Sequence, residues 1–295
     1  MKIGHWIAGG LAGSVGLFVY GALVEANRLV VERRRLVLPG WPRRLNGFKI
    51  AVLADLHIRD GHSADLAKRA VGLALDEAPD VVALPGDIVG YWKPESPRLV
   101  GGALEELLLM EGRVVASPGN REYWNGVPAF LGAILDELNI RLLVNDAWSC
   151  AGVTWAGVDS ANLGEPDPEG VMRLVARHTK RFRPDGADDP SLKEAVEKLS
   201  PSAEPVVVLW HEPDLVAQVP AGAALVISGH THGGQFRTPW GWPPMRTVNG
   251  RKYLEGFFPG APTPLYVSRG IGTAGPPTRL FCPPEVSVLT LESIA

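Results

Sequence analysis

The chain has 295 residues, 46% of them hydrophobic and 21% charged, a balance that supports a sizeable core and excludes a disordered or low-complexity scaffold. Lys+Arg 29 against Asp+Glu 32 gives a formal charge of -3, which offers no whole-chain basic field, so nucleic acid is not an expected partner. Two cysteines, Cys150 and Cys282, build neither a disulfide framework nor a thiolate zinc site, so any metal must be held by His, carboxylate or amide groups.

The charge is uneven along the chain. Up to Lys49 there are eight basic residues against only Glu25 and Glu32, a surplus of six that leaves the remainder at -9. Ile7 to Val24 is uncharged over 18 residues, which at about 1.5 Å of rise per residue just reaches the roughly 30 Å hydrocarbon layer of a bilayer. It reads as a single membrane-spanning helix, since no polar face appears at the spacing a buried amphipathic helix needs. Val24-Glu25-Ala26 has the form of a weak signal-peptidase site, but the apolar run is long for a signal peptide and only Lys2 precedes it. Gly9 and Gly13 are spaced as in close-packed membrane helices, a spacing that glycine-rich runs also produce by chance. Basic residues cluster after the span, which places the main domain on the cytoplasmic face; Lys2 opposes this and keeps the periplasmic or extracellular face as the alternative. The expected organisation is an anchor over 1–27, a basic juxtamembrane linker over 28–46 and a single domain over 47–295.

Beyond Trp41-Pro42 strand and helix alternate. The expected elements are a strand at Lys49 to Ala54, a helix at Ala64 to Glu77, a strand at Val81 to Leu84, a helix at Leu99 to Met110 and a strand at Arg113 to Ala116. A helix at Val127 to Leu138 and a strand at Arg141 to Val144 continue the series. Further strand-like runs fall at Val153 to Gly157, Val206 to Leu209, Ala224 to Ile227, Pro264 to Ser268 and Val286 to Leu291. Arg183 to Pro190 and Phe236 to Met245 are expected as surface loops, because Pro, Gly and Asp or Trp interrupt any apolar period. This is an α/β pattern with no internal repeat.

The apolar runs end in potential metal ligands. Asp55-Leu56-His57, Gly86-Asp87, Gly119-Asn120, Trp210-His211 and Gly229-His230-Thr231-His232 all fall where α/β sheets bind ligands, at the carboxyl ends of strands. One Asp or Asn after a strand is an ordinary turn or cap residue. Five such blocks in one chain converge on a shared site. Asp60 and Asp65 suit a loop and a helix start, and His5, His62 and His178 lack partner spacing.

In this order the blocks resemble the calcineurin-like metallophosphoesterases over about Lys49 to Leu291. The extended Gly229 to Gln235, Ser268-Arg269-Gly270-Ile271-Gly272, Pro284-Glu285 and the N-terminal span make the chain similar to the membrane-associated YkuE/YaeI-like branch. The resemblance implies a four-layer α/β/β/α metallophosphoesterase sandwich, here with an N-terminal transmembrane helix. It implies Asp55, His57 and His232 on one metal, Asn120, His211 and His230 on another, and Asp87 bridging the two. Two divalent ions about 3.5 to 4 Å apart lower the pKa of a bridging water and clamp phosphoryl oxygens during in-line displacement. Mixed carboxylate, amide and imidazole donors suit Mn(II) first, with Fe, Zn(II) or Mg(II) as alternatives. A metallo-β-lactamase-like site would need His-x-His-x-Asp-His, whereas Gly233-Gly234 follow His232.

The family usually carries His after Gly-Asn, and here that position is Arg121. Arginine stabilises a developing negative charge but is a poor proton donor, which favours a leaving group already stable as an anion, as in a pyrophosphate or activated diester. The UDP-2,3-diacylglucosamine hydrolases of lipid A synthesis are a similar branch that also shows Gly-Asn-Arg. The alternative is that Arg121 pairs with Glu122 or another acid and never meets substrate. Trp92, Trp124, Trp240, Trp242, Phe257 and Phe258 fall in loops where they either line an acyl groove or serve core and lid packing. The expected function is thus a membrane-anchored hydrolase acting on a phosphate-containing small molecule or lipid. A broad phosphomonoesterase or phosphodiesterase is the second reading, and a non-catalytic scaffold with the same fold is the third. The sequence says nothing of oligomeric state.

Overall fold

The computed structural model describes residues 14–124, 128–181 and 204–294. His5, the Gly9 and Gly13 pair, the first part of the Ile7 to Val24 run and the Arg183 to Pro190 loop lie outside them. Residues 14–23 are helical, and Val15, Leu17, Phe18, Val19, Tyr20 and Leu23 on this stretch are exposed. Among the described residues no helix is long and apolar enough to cross a membrane.

Among the described residues, twelve strands form two mixed six-stranded sheets. The first is built from β1 (Val30–Leu38), β2 (Phe48–Val52), β3 (Val81–Pro85), β4 (Val114–Ser117), β5 (Ile140–Leu142) and β12 (Glu285–Ser293), in the spatial order β1-β12-β2-β3-β4-β5. The second contains β6 (Asp146–Cys150), β7 (Val153–Gly157), β8 (Val206–Leu209), β9 (Ala223–Ser228), β10 (Gly256–Phe258) and β11 (Leu265–Val267), in the order β10-β11-β9-β8-β7-β6. Within the first sheet β2 to β5 run parallel, and within the second β7, β8, β9 and β11 do. The carboxyl ends of these central strands therefore share one edge of each sheet.

The strands are apolar on both faces because both faces are covered. Ile50, Val52, Val81, Ala83 and Leu289 of the first sheet pack with Trp155, Val207, Leu209 and Ile227 of the second. The alternate residues Ala51, Val82, Leu84, Val114 and Ala116 face helix α1 (Gly61–Asp76), α2 (Ser96–Leu104) and α4 (Pro128–Glu137). Beyond the second sheet, Ala156, Val208 and Val226 pack with Val171 and Val175 of α5 (Pro168–Arg181). Helix α1 starts three residues before the expected Ala64: Asp60 is its N-cap, accepting from Ser63 N at 2.8 Å, with Ser63 closing a capping box.

Several expectations change. The segment expected as a juxtamembrane linker contains β1, which pairs in parallel with β12 from Val30 to Leu38. Its Arg33, Arg34 and Arg35 are exposed, while Leu36 and Leu38 are buried, so the strand character shows only near its end. The expected helix at Leu99 to Met110 divides into α2 and a 3-10 turn at Glu105–Met110. Strands β6 and β10 and helix α5 were not expected. The Phe236 to Met245 stretch carries no regular element, as expected of a loop.

Candidate metal centre

Each chemical block leaves a sheet at a carboxyl end. Asp55 and His57 follow β2, Asp87 follows β3, Asn120 follows β4 as the first residue of the short helix α3 (Asn120–Trp124), His211 follows β8, and His230 and His232 follow β9. Five of these residues adopt left-handed backbone conformations, with φ of 51° at Asp55, 47° at His57, 53° at Asp87, 71° at His230 and 50° at His232. A non-glycine residue there is uncommon, and such strain concentrates at functional sites. Here the fold spends conformational energy to turn these side chains inward. Gly86 shows why a smaller residue must stand beside them: its φ is +87°, and a Cβ would lie 2.6 Å from His211 Nδ1.

The side chains converge. His57 Nε2 lies 3.0 Å from His232 Nε2, and 3.3 Å from Asp87 Oδ2. His211 Nε2 lies 3.4 Å from the same Asp87 Oδ2 and 3.9 Å from Asp55 Oδ1. His232 Nε2 stands 3.6 Å from Asp55 Oδ1. Asp55, His57 and His232 form one group with metal-binding spacing and Asp55, Asp87 and His211 a second, and all five residues are buried. The rings of His211 and His230 are 4.9 Å apart.

Hydrogen bonds assign the remaining donors. His211 Nδ1 faces Pro85 O at 2.7 Å, and His230 Nε2 faces Val248 O at 2.7 Å. A carbonyl fixes the proton on the nitrogen that faces it and leaves the other lone pair for a cation. That frees Nε2 of His211 and Nδ1 of His230. Asp87 Oδ1 accepts from Arg121 N at 2.8 Å, turning Oδ2 to the histidines. Asn120 Oδ1 is buried without a hydrogen-bond partner among the described residues, an arrangement that stands at a cost unless a cation satisfies it. The donor set therefore fits metal.

The electrostatics agree. Burial holds His57 down at about 3, His232 well below the usual histidine range and His230 below it too. These imidazoles are neutral, the form a metal takes up. His211 is pulled down by burial, but the neighbouring carboxylates, Asp87 first and then Asp55 and Glu212, together outweigh this and hold it well above the usual value. Burial raises Asp55 to about 7. Asp87 is opposed by burial yet depressed by His211 and His57. Two carboxylates in a dry site share the positive charge of their surroundings, which is the demand that divalent cations meet.

Three supports were not identified from the sequence. Glu122 is buried and accepts from the backbone of Asp87 at 3.0 Å, Ile88 at 2.8 Å, Val89 at 3.2 Å and Gly119 at 2.7 Å. It follows Asn120 by two residues, but its role emerges only from the tertiary contact. Tyr123 Oη donates to the buried Asp159 at 2.5 Å, joining α3 to the end of β7. The fully buried Arg279 has no sequence spacing to mark it. Of the aromatic residues, Trp92 packs with Phe130, and Phe257 and Phe258 lie in β10 against the cores. These contacts are those of packing. Trp124, Trp240 and Trp242 are exposed. The guanidinium of Arg121 stacks over Trp124 at 4.2 Å, while the Glu122 carboxylate, its suggested partner, is engaged by four backbone N–H groups.

The chain matches the calcineurin-like phosphoesterase family over residues 48–234, more than half its length, and belongs to that family. It is therefore a metal-dependent phosphoester hydrolase with a dinuclear site for divalent ions. Relatives include the uncharacterized metallophosphoesterase YkuE of Bacillus subtilis, 24% identical over 97% of this chain and 94% of the relative. Phosphodiesterase YaeI of Escherichia coli is 28% identical over 83% of this chain and 82% of its own length. The UDP-2,3-diacylglucosamine pyrophosphatase LpxG of Chlamydia trachomatis is 27% identical over 95% and 94%.

Proposed function

We propose that this protein is a membrane-anchored phosphohydrolase that cleaves a pyrophosphate or diester bond in a lipid-linked or nucleotide substrate, UDP-2,3-diacylglucosamine being the leading candidate. The observation that carries the bond type is Arg121. Its backbone N–H holds Asp87 at 2.8 Å, so the residue adjoins the centre, and its guanidinium lies over Trp124. A permanently charged fork there steadies an anionic phosphate leaving group and has no proton to give to an alkoxide. Names of two relatives, a phosphodiesterase and a UDP-diacylglucosamine pyrophosphatase, point the same way.

Asp55, His57 and His232 would hold one ion, Asn120, His211 and His230 the other, and Asp87 would bridge them. When bound, the ions supply Lewis acidity and an activated water, and Mn(II) is the first choice. The protein keeps four imidazoles oriented, excludes bulk water from the carboxylates and sets Arg121 beside Asp87. The apolar, exposed helix at 14–23 supports an anchor over 1–27, and the arginines that follow support a cytoplasmic catalytic domain. With β1 in the sheet, that domain starts at Val30.

A substrate panel with Mn(II) tests the reading: UDP-diacylglucosamine, an aryl diester and an aryl monoester, for wild type, Arg121→Ala and Arg121→His. Arg121→Ala should slow pyrophosphate cleavage most, and Arg121→His should gain relative monoesterase activity. Unchanged preference in both variants would refute the assigned role of Arg121, and monoester preference in the wild type would refute the substrate class.

A further inference from the structure

The fully buried Arg279 lies behind the metal centre. Its Nε and Nη2 donate to Gly272 O at 3.0 and 2.6 Å, and Nη2 also to Arg269 O at 2.9 Å and Gly270 O at 3.0 Å. Nη1 faces His232 O at 3.5 Å and Cys282 O at 3.4 Å, while Nη2 lies 3.4 Å from His232 Nδ1. The loop it grips is fastened in turn to the first chemical block. Ile271 N donates to Ala54 O at 3.0 Å and Gly272 N to Asp55 O at 2.7 Å. Contact is so close that a Cβ on Gly272 would stand 2.8 Å from His57 Cβ. One guanidinium thus joins the wall behind Asp55 and His57 to the main chain of His232.

We propose that Arg279 is a positioning residue for the ion held by Asp55, His57 and His232, pinning the backbone from which all three ligands project. This rests on the dinuclear assignment above. The arrangement needs arginine: its planar fork offers five N–H donors in fixed directions, whereas a lysine offers three from a point. The carbonyl partners leave the guanidinium no open donor edge for substrate. Neighbouring Arg269 serves a different purpose, since its side chain pairs with Glu32 at 3.1 Å and Glu285 at 2.8 Å.

The test uses the full-length chain in detergent, stripped of metal and titrated with Mn(II) by calorimetry and electron paramagnetic resonance. Wild type should bind two ions and show the signal of an exchange-coupled pair. Arg279→Lys, which keeps the charge and part of the donor set, and Arg279→Gln should each weaken one of the two sites about 10- to 100-fold, as loss of a supporting contact does, and replace the coupled signal by that of isolated Mn(II). Arg269→Gln should lower the melting temperature and keep both sites. Two unchanged sites in a folded Arg279→Lys protein would overturn the positioning role, as would equal weakening in Arg269→Gln. A wild-type protein that takes up no Mn(II) would overturn the dinuclear assignment itself.

Discussion

Glu122→Gln is a sharp test of how the centre is built, because Glu122 supports the ligand loops without being a ligand. In the carboxylate, one oxygen accepts from Ile88 and Val89 and the other from Asp87 and Gly119. Glutamine keeps one acceptor oxygen and presents an NH2 group to the other pair of N–H donors, so two charge-assisted hydrogen bonds are lost. At about 1.5–3 kcal/mol each the gross loss is about 3–6 kcal/mol. Neutralising a carboxyl that burial already raises to about 7 returns part of this, so a net cost of about 3 kcal/mol is expected. For a domain of this size that lowers the melting temperature by about 6–12 °C. Because both donor pairs hold the loops that carry Asp87 and Asn120, Mn(II)-dependent diesterase activity should fall as well. Calorimetric unfolding and turnover of an aryl diester measure the two effects. Unchanged melting together with full activity would show that the Glu122 carboxylate is not the fastening of these loops.

Asp87→Ala should abolish activity and leave fewer than two ions bound per chain by elemental analysis, because its Oδ2 stands within 3.4 Å of histidines assigned to both ions; retention of two ions would contradict the bridging assignment. Metal uptake should release protons at pH about 6: Asp55, raised to about 7, and His211, raised well above its usual value, are then protonated, while His57, held at about 3, has none to lose. In the metal-free protein Asp55 contributes stability that is present below its ordinary 3.8 and is lost as pH rises through about 7, so Mn(II) affinity should strengthen over the same interval; calorimetry in buffers of different protonation enthalpy that detects no proton release would refute this. Trp155→Ala, at a fully buried site between the sheets, should cost about 3–5 kcal/mol by denaturant unfolding; a loss below about 1 kcal/mol would mean that the inter-sheet core is not closed there.

The seven proposed ligand positions stand out in the sequence because each follows a short apolar run, and three of the runs end in a glycine that marks the turn; the structure gathers five of them, Asp55, His57, Asp87, His211 and His232, into groups with metal-binding spacing. What made Asp87 or Asn120 more than a turn residue was the repetition of the pattern, not the residue itself. The supports were illegible for a physical reason: only one partner of Glu122, Gly119 three residues before it, is local, while the other three lie 33 to 35 residues away, and Arg279 acts on carbonyls of two loops. Helix α5 had a signal, the buried i, i+4 pair Val171 and Val175, concealed by its polar flanks. Strand β1 was hidden by Glu32-Arg33-Arg34-Arg35, which breaks the alternation expected of a half-buried strand, although charge on an edge strand is a common protection against pairing with other chains.

That arginine run also changes what the charge division at Lys49 means. Arg33 pairs with Glu77, Arg34 with Glu32 and Arg35 with Glu292, so acids of the fold stand beside these bases, and they are less available to an anionic membrane surface than their number suggests. Such exposed pairs add little stability, but they fix where the strand lies. Glu32 on β1 reaches Arg269, whose loop walls Asp55, and Arg279 N donates to Gly21 O at 3.3 Å at the end of the N-terminal helix. Residues 21 to 38 are therefore fastened at two points to the scaffold behind the candidate metal centre. A chain begun at residue 47 would lose β1 from the sheet and leave Arg269 without one of its carboxylates. The segment expected as a basic juxtamembrane linker is instead a strand of the first sheet that ties the helix at 14–23 to the loop behind Asp55.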